Sequence, residues 1–106
     1  MIRPRISEKQ VQKAITDLLK GQLGLSVYDL SQPRHTMQTR GLPDLIAIGR
    51  GLILFIEVKR PGGKQTIHQQ DFGLQVEANG GTYVVWSSAK QAWDYLVERD
   101  FVEAAS

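Results

Sequence analysis

Asp44, Glu57 and Lys59 have the residue types of a metal-assisted hydrolytic site. Two carboxylates offer the hard oxygen ligands that Mg²⁺ or Mn²⁺ prefers. A nearby lysine can orient an attacking water or stabilise negative charge that develops on a phosphoryl group. A cation between the acids would polarise a phosphoryl oxygen and lower the pKa of a bound water. The pattern therefore predicts divalent-metal-dependent hydrolysis if the chain brings the three side chains together.

A β-hairpin is the element that would bring them together. Segments 44–49 and 52–58 are apolar and rich in β-branched residues, and Arg50-Gly51 between them is typical of a two-residue turn. This register places Asp44 opposite Glu57, where two carboxylates repel each other unless a cation lies between them. Strand alternation puts Lys59 on the same face as Glu57. The alternative is that Asp44 is a turn residue after a proline and that the other two are charges at a sheet edge.

The other segments predict an α/β domain of order α-β-β-β-α-β-α, with a central mixed sheet flanked by helices. The length of 106 residues favours one domain over 1–106. The continuous apolar run 52–58 predicts a central strand covered on both faces. Capping boxes, helical spacing and glycine breaks set the remaining elements: helices over about 7–20 and 66–79, strands over 26–30 and 82–86, and a last helix capped by Ser87 or Ser88.

Composition and charge exclude several classes of protein. The chain has no cysteine, so it has no disulfide framework, thiolate zinc site or cysteine nucleophile. It lacks an apolar run long enough to span a membrane and the apolar core of a signal peptide, so we expect no membrane association and a cytoplasmic location. Nothing in the sequence predicts an organic cofactor. The net charge of +2 divides into +6 over 1–64 and −4 over 65–106, and a basic region of this kind attracts a polyanion.

Glu8 has two interpretations that stay open at this stage. It lies on the stripe Glu8–Val11–Ile15 of the first helix, the face expected to pack on the sheet. An acid on that face can reach a metal from across the sheet. Alternatively, an acid in the first turn of a helix needs only the helix dipole to explain it.

Taken together, these motifs resemble the virus-type replication–repair nuclease (VRR-NUC) family of the PD-(D/E)XK nuclease superfamily. The similarity covers about 7–87 and includes GLPDL at 41–45, IEVK at 56–59, and Thr66-x-x-Gln69. It implies a three-layer restriction-endonuclease-like core and a catalytic role for Lys59. The implied metal ligands are Asp44, Glu57, the carbonyl of Val58, and Glu8. The family glutamine, matched by Gln69, lies close to the active site, although Gln69 also reads as the capping-box partner of Thr66.

The resemblance also implies a substrate. Members made of this domain alone, often encoded by phages or bacteria, are similar to dimeric Holliday-junction resolvases. No fused domain is present in this sequence, so we expect a homodimer that cleaves branched DNA, as two sites related by a two-fold axis suit a four-way junction. The alternatives are a nicking or flap-type nuclease and a DNA-binding module that keeps the fold without turnover.

Contacts with DNA are expected mainly at the phosphate backbone. The chain lacks a cluster of aromatic residues near the predicted site on which unpaired bases would stack, which favours duplex or branched DNA. Two single histidines in separate segments do not predict a histidine metal site. The candidate phosphate contacts lie in the two polar loops that flank the acids and the lysine, and they are Arg34, His35, Arg40, Arg60 and Lys64.

Overall fold

The computed structural model describes residues 5–31 and 39–102, and it confirms the predicted order of elements. Within these ranges no helix is both long and apolar enough to cross a bilayer. The first helix is extended by a π-helical turn, Asp17–Gln22. In chain order the elements are α1 (Glu8–Thr16), β1 (Ser26–Asp29), β2 (Leu45–Gly49), β3 (Leu52–Val58), α2 (Ile67–Ala78), β4 (Thr82–Trp86) and α3 (Ala89–Glu98).

The four strands form one mixed sheet in the order β1-β2-β3-β4. β2 is antiparallel to both β1 and β3, whereas β4 runs parallel to β3 after the crossover through α2. Gly49 pairs with Leu52, as the sequence predicts. Arg50 and Gly51 both have positive φ, 52° and 79°, the backbone of a type I′ turn that matches the twist of the paired strands.

Helices cover both faces of the sheet and give the predicted three layers. On one face, α1 and α3 pack over a continuous core whose fully buried members include Ile15, Leu54 and Leu96. On the other face, the Phe72 ring of α2 meets the Phe55 ring edge-on, with centroids 6.0 Å apart. A Cβ at Gly73 would lie 2.7 Å from the Tyr83 ring, so this glycine allows α2 to lie close to β4.

The expectation that β3 is covered on both faces is correct for only one half of the strand. Ile56, Glu57 and Val58 are buried on both faces, but Ile53 is 58% exposed. The reason is that α2 packs over the end of the sheet where β3 stops and leaves the hairpin end of that face open. The covered end is the one that carries the predicted site.

Candidate active site

Glu57 is the buried centre of the site. Its side chain is 1% exposed because β3 is an internal strand and α2 closes over it. Its Oε2 accepts hydrogen bonds from Nε2 of Gln69 at 2.6 Å and from Nζ of Lys59 at 3.0 Å. Its Oε1 has no hydrogen-bond partner in the described part of the chain. One oxygen of this carboxylate is therefore held in place, and the other is free to bind a cation.

Asp44 approaches Glu57 by a different route from the predicted one. The ladder between β2 and β3 ends at Leu45, and the backbone N–H of Asp44 donates to the Ile56 carbonyl at 3.0 Å instead of continuing the predicted pairing with Glu57. The Oδ2 of Asp44 accepts a hydrogen bond from the backbone N–H of Val58 at 2.8 Å. The two carboxyl groups still lie close enough for each to affect the pKa of the other. The predicted juxtaposition holds, while the side chain of Asp44 also satisfies the end of β3.

Burial has a large effect on both acids. Desolvation raises the pKa of Glu57 to about 7, because the hydrogen bond from Lys59 only partly offsets the loss of water and the nearby Asp44 adds repulsion. Desolvation also raises the pKa of Asp44, although the N–H of Val58 favours its charged form. Two adjacent acids with raised pKa values are a common feature of sites that bind a cation or move protons.

The loop that carries Asp44 is fixed against α2 through a glycine. Gly41 has a φ of 87°, and a Cβ there would lie 2.3 Å from the carbonyl oxygen of His68. No other residue type fits this position without displacing one of the two segments. Pro43 between the glycine and Asp44 is fully buried. This contact places the Asp44 loop beside the first turn of α2, which carries Gln69.

Gln69 performs two structural tasks at once. It completes the capping box of α2, in which its Oε1 accepts from the backbone N–H of Thr66 at 2.8 Å. Its Nε2 donates to Glu57. The two interpretations of this residue are therefore compatible, and the start of α2 and the orientation of the buried acid depend on the same amide group.

The residues present suit a hard divalent cation. Glu57 supplies a buried oxygen without a partner, Asp44 supplies a carboxylate beside it, and the carbonyl of Val58 is a further oxygen at the end of β3. Glu8, in contrast, is exposed in the first turn of α1. In residues 5–31 and 39–102 no three acidic or histidine side chains come close enough to form a metal cluster on their own. The structure thus brings Asp44, Glu57 and Lys59 together and leaves Glu8 outside this group.

A polar cluster near Asp44 escaped the sequence analysis. Nε2 of Gln12, one helical turn beyond Glu8, donates to Asp29 at 3.1 Å and to Ser31 at 3.2 Å. The charge of Asp29 in turn contributes to the raised pKa of Asp44. The sequence signal was the polar residue Gln12 at the edge of the apolar stripe of α1. The role of Gln12 depends on its partners at the end of β1, and spacing within the sequence does not predict that these residues lie beside α1.

Three of the five predicted DNA contacts lie in or beside two clefts, and the other two are outside the described residues. Arg40 and Asp44 line the same cleft, of about 350 Å³. A positively charged side chain and an acid of the site therefore face the same space. Arg60 lines a second cleft, and Lys64 is exposed in the same loop. Arg34 and His35 lie outside the described residues.

Comparison with solved structures finds a chain described as "VRR_NUC domain". It is 31% identical in sequence and superposes with a TM-score of 0.68, over 88% of this chain and 97% of that chain. No protein-family model and no curated protein matches the sequence.

Proposed function

The chain belongs to the VRR-NUC family, and from this premise we propose that it is a divalent-metal-dependent endonuclease that hydrolyses phosphodiester bonds in branched DNA. The observation that carries the proposal is the buried Glu57, with one oxygen free, beside Asp44 and Lys59. A purely structural site would not keep an unsatisfied carboxylate oxygen at this depth, because its desolvation lowers stability.

In the proposed mechanism Asp44, the free oxygen of Glu57 and the carbonyl of Val58 would hold Mg²⁺ or Mn²⁺. Glu8, which is exposed on α1 outside this group, would have to turn toward the ion to serve as a further ligand. The ion would supply Lewis-acid polarisation of the phosphate and a lowered pKa for water. Gln69 keeps Glu57 in one orientation, and the N–H of Val58 does the same for Asp44. The chain thus holds the carboxylates of Asp44 and Glu57 already in position.

Lys59 supplies the positive charge. Its Nζ lies 3.0 Å from Oε2 of Glu57 and uses one of its donors there. The remaining donors can bind the attacking water or the developing negative charge on the phosphate. Arg40, Arg60 and Lys64, together with Arg34 and His35, would hold the DNA backbone around this centre.

We further propose that the enzyme acts as a homodimer on four-way junctions, in the manner of a Holliday-junction resolvase. The supporting surface is the open sheet face beyond α2, where Tyr28 is 54% and Ile53 is 58% exposed. Its strand residues Ser26, Tyr28, Ile46, Ile48 and Ile53 are all uncharged. Ile53→Lys should convert a dimer to a monomer in sedimentation equilibrium, whereas Ile67→Lys should not, because Ile67 is also exposed but lies on α2. A wild-type protein that sediments as a monomer contradicts the dimer.

A panel of labelled four-way, flap, nicked and linear DNAs with Mg²⁺ or Mn²⁺ tests the activity. We expect cleavage of the junction, its loss in Asp44→Ala and Lys59→Ala with circular dichroism unchanged, and full activity in Lys90→Ala on α3. Equal rates on linear duplex and junction would refute the junction preference. Faster cleavage of the flap or the nicked DNA would favour the other structure-specific nucleases. Tight binding of DNA without cleavage in either metal would show a non-catalytic module.

A further inference from the structure

A second positively charged cleft lies at the loop that follows Lys59. Arg5, Ile6, Arg60, Pro61 and Gly62 line a space of about 400 Å³. Arg60 directly follows Lys59, two residues after β3 ends at Val58, so one wall of the cleft is the loop that leaves the strand of the site. Arg5 comes from the other side, two residues before Ser7, the N-cap of α1. Arg60 is among the DNA contacts predicted from the sequence, and Arg5 is not.

Neither arginine has a counter-charge in the described residues. The ion pairs found there are Lys13–Asp17, Lys59–Glu57 and Lys90–Asp94. Two guanidinium groups that face one cleft without a carboxylate repel each other, and an anion between them would remove the repulsion. The nearby N-terminus of α1 adds to the positive potential. Its capping box already uses the N–H of Gln10, so the helix acts here mainly through its field.

Guanidinium geometry narrows the class of ligand. The planar fork of arginine donates two parallel hydrogen bonds and therefore matches phosphate oxygens well. The rest of the lining is Ile6, Pro61 and Gly62. None of these has an aromatic ring on which a base could stack. The cleft thus suits a phosphate group that arrives without its base.

We propose that Arg5 and Arg60 together bind a backbone phosphate of the DNA that flanks the scissile one. This assignment rests on the proposed nuclease function, and it adds Arg5 as a substrate-binding residue. Because Arg60 directly follows Lys59 in the chain, a phosphate bound there would help to fix how the DNA strand enters the site. Arg5 and Arg60 act on the same phosphate, so loss of either should remove most of the contact.

Fluorescence anisotropy with a labelled four-way junction in EDTA measures binding without cleavage, at several salt concentrations. We expect Arg5→Gln and Arg60→Gln each to weaken binding about three- to tenfold, and the double variant to be weaker by less than the product of the single effects. The double variant should reduce the slope of log K against log salt by about 0.9, the value for one phosphate contact. Arg50→Gln is the matched control, since Arg50 is exposed in the hairpin turn at the far end of β3.

The outcomes separate this inference from the nuclease function. If the wild type cleaves DNA but Arg5→Gln binds as tightly as Arg50→Gln, the cleft assignment is wrong and the nuclease function stands. If inorganic phosphate raises the melting temperature of the wild type but not of Arg5→Gln, while DNA affinity is the same in both, the cleft binds free phosphate and the backbone assignment is overturned. If the wild type neither binds nor cleaves DNA, both proposals fail.

Discussion

Replacing Glu57 by glutamine should make the protein more stable at alkaline pH in the absence of metal. Glutamine keeps the size of the side chain and an oxygen that accepts from Lys59 and Gln69, but it removes the buried charge. In the wild type the pKa of Glu57 is raised to about 7 from 4.5. The folded protein therefore holds a proton that the unfolded chain has already released, and stability falls as pH rises through this window.

The size of the effect follows from the shift. One pKa unit corresponds to about 1.4 kcal/mol, so the free energy of unfolding of the wild type should fall by up to about 3 kcal/mol between pH 4 and pH 8, relative to Glu57→Gln. Below about pH 4.5 both states of the wild type are protonated and this term is absent; above about pH 7 it is complete. The slope that remains in the variant comes partly from Asp44, whose pKa is also raised.

Urea unfolding in EDTA, followed by the fluorescence of the buried Trp86, gives the free energy at each pH. Glu98→Gln is the control, because Glu98 is an exposed acid at the end of α3. Adding Mg²⁺ at pH 8 should then stabilise the wild type by about 3 kcal/mol at a hundred times its dissociation constant, and Glu57→Gln much less. If the wild type and Glu57→Gln lose stability in parallel across the whole pH range, Glu57 is not a buried acid with a raised pKa.

Three further changes test how the site is positioned. Gly41→Ala should lower the free energy of unfolding by more than 2 kcal/mol, because the new Cβ meets the His68 carbonyl. Gly24 also has positive φ but has open space around it, so Gly24→Ala should lose only about 1 kcal/mol in the same urea assay. Equal losses in the two variants would contradict the contact. Gln69→Ala should abolish cleavage and lower the free energy of unfolding by about 1 kcal/mol more than Gln10→Ala does. Gln10→Ala is the control because it removes the equivalent capping-box residue of α1, which contacts no acid. Equal activity in the two variants would show that Gln69 only caps its helix. Lys59→Met should move the pH-dependent loss of stability to higher pH, because Lys59 favours the charged form of Glu57; an unchanged midpoint would mean that the ion pair does not affect that acid.

Local sequence signals predicted most of the fold. Both capping boxes form as expected, β4 has the predicted bounds, and the two-residue turn sets the register of the hairpin. These features depend on residues close together in the chain, such as Arg50 and Gly51, whose backbone preferences act without tertiary help. The structural match to a VRR-NUC domain confirms the resemblance and the fold class.

The parts that sequence did not predict depend on contacts between distant segments. Asp44 leaves the ladder because its carboxyl caps the end of β3 at Val58. Ile53 is exposed because α2 covers only one end of the sheet, which periodicity within β3 does not show. Arg5 meets Arg60 because α1 begins near the end of β3. The roles of Glu8, Gln69 and the loop cations remain predictions for the experiments above.

The shared amide of Gln69 links the chemistry of the site to the folding of a helix. The hairpin β2–β3 is local in sequence and can form before the crossover through α2 brings in β4. Until α2 docks, Glu57 stays hydrated and Gln69 is not there to orient it. Local opening of α2 therefore takes the site apart while most of the core remains folded. A cation that binds Glu57 in its native orientation must in turn slow hydrogen exchange in the first turn of α2, far more than in α3.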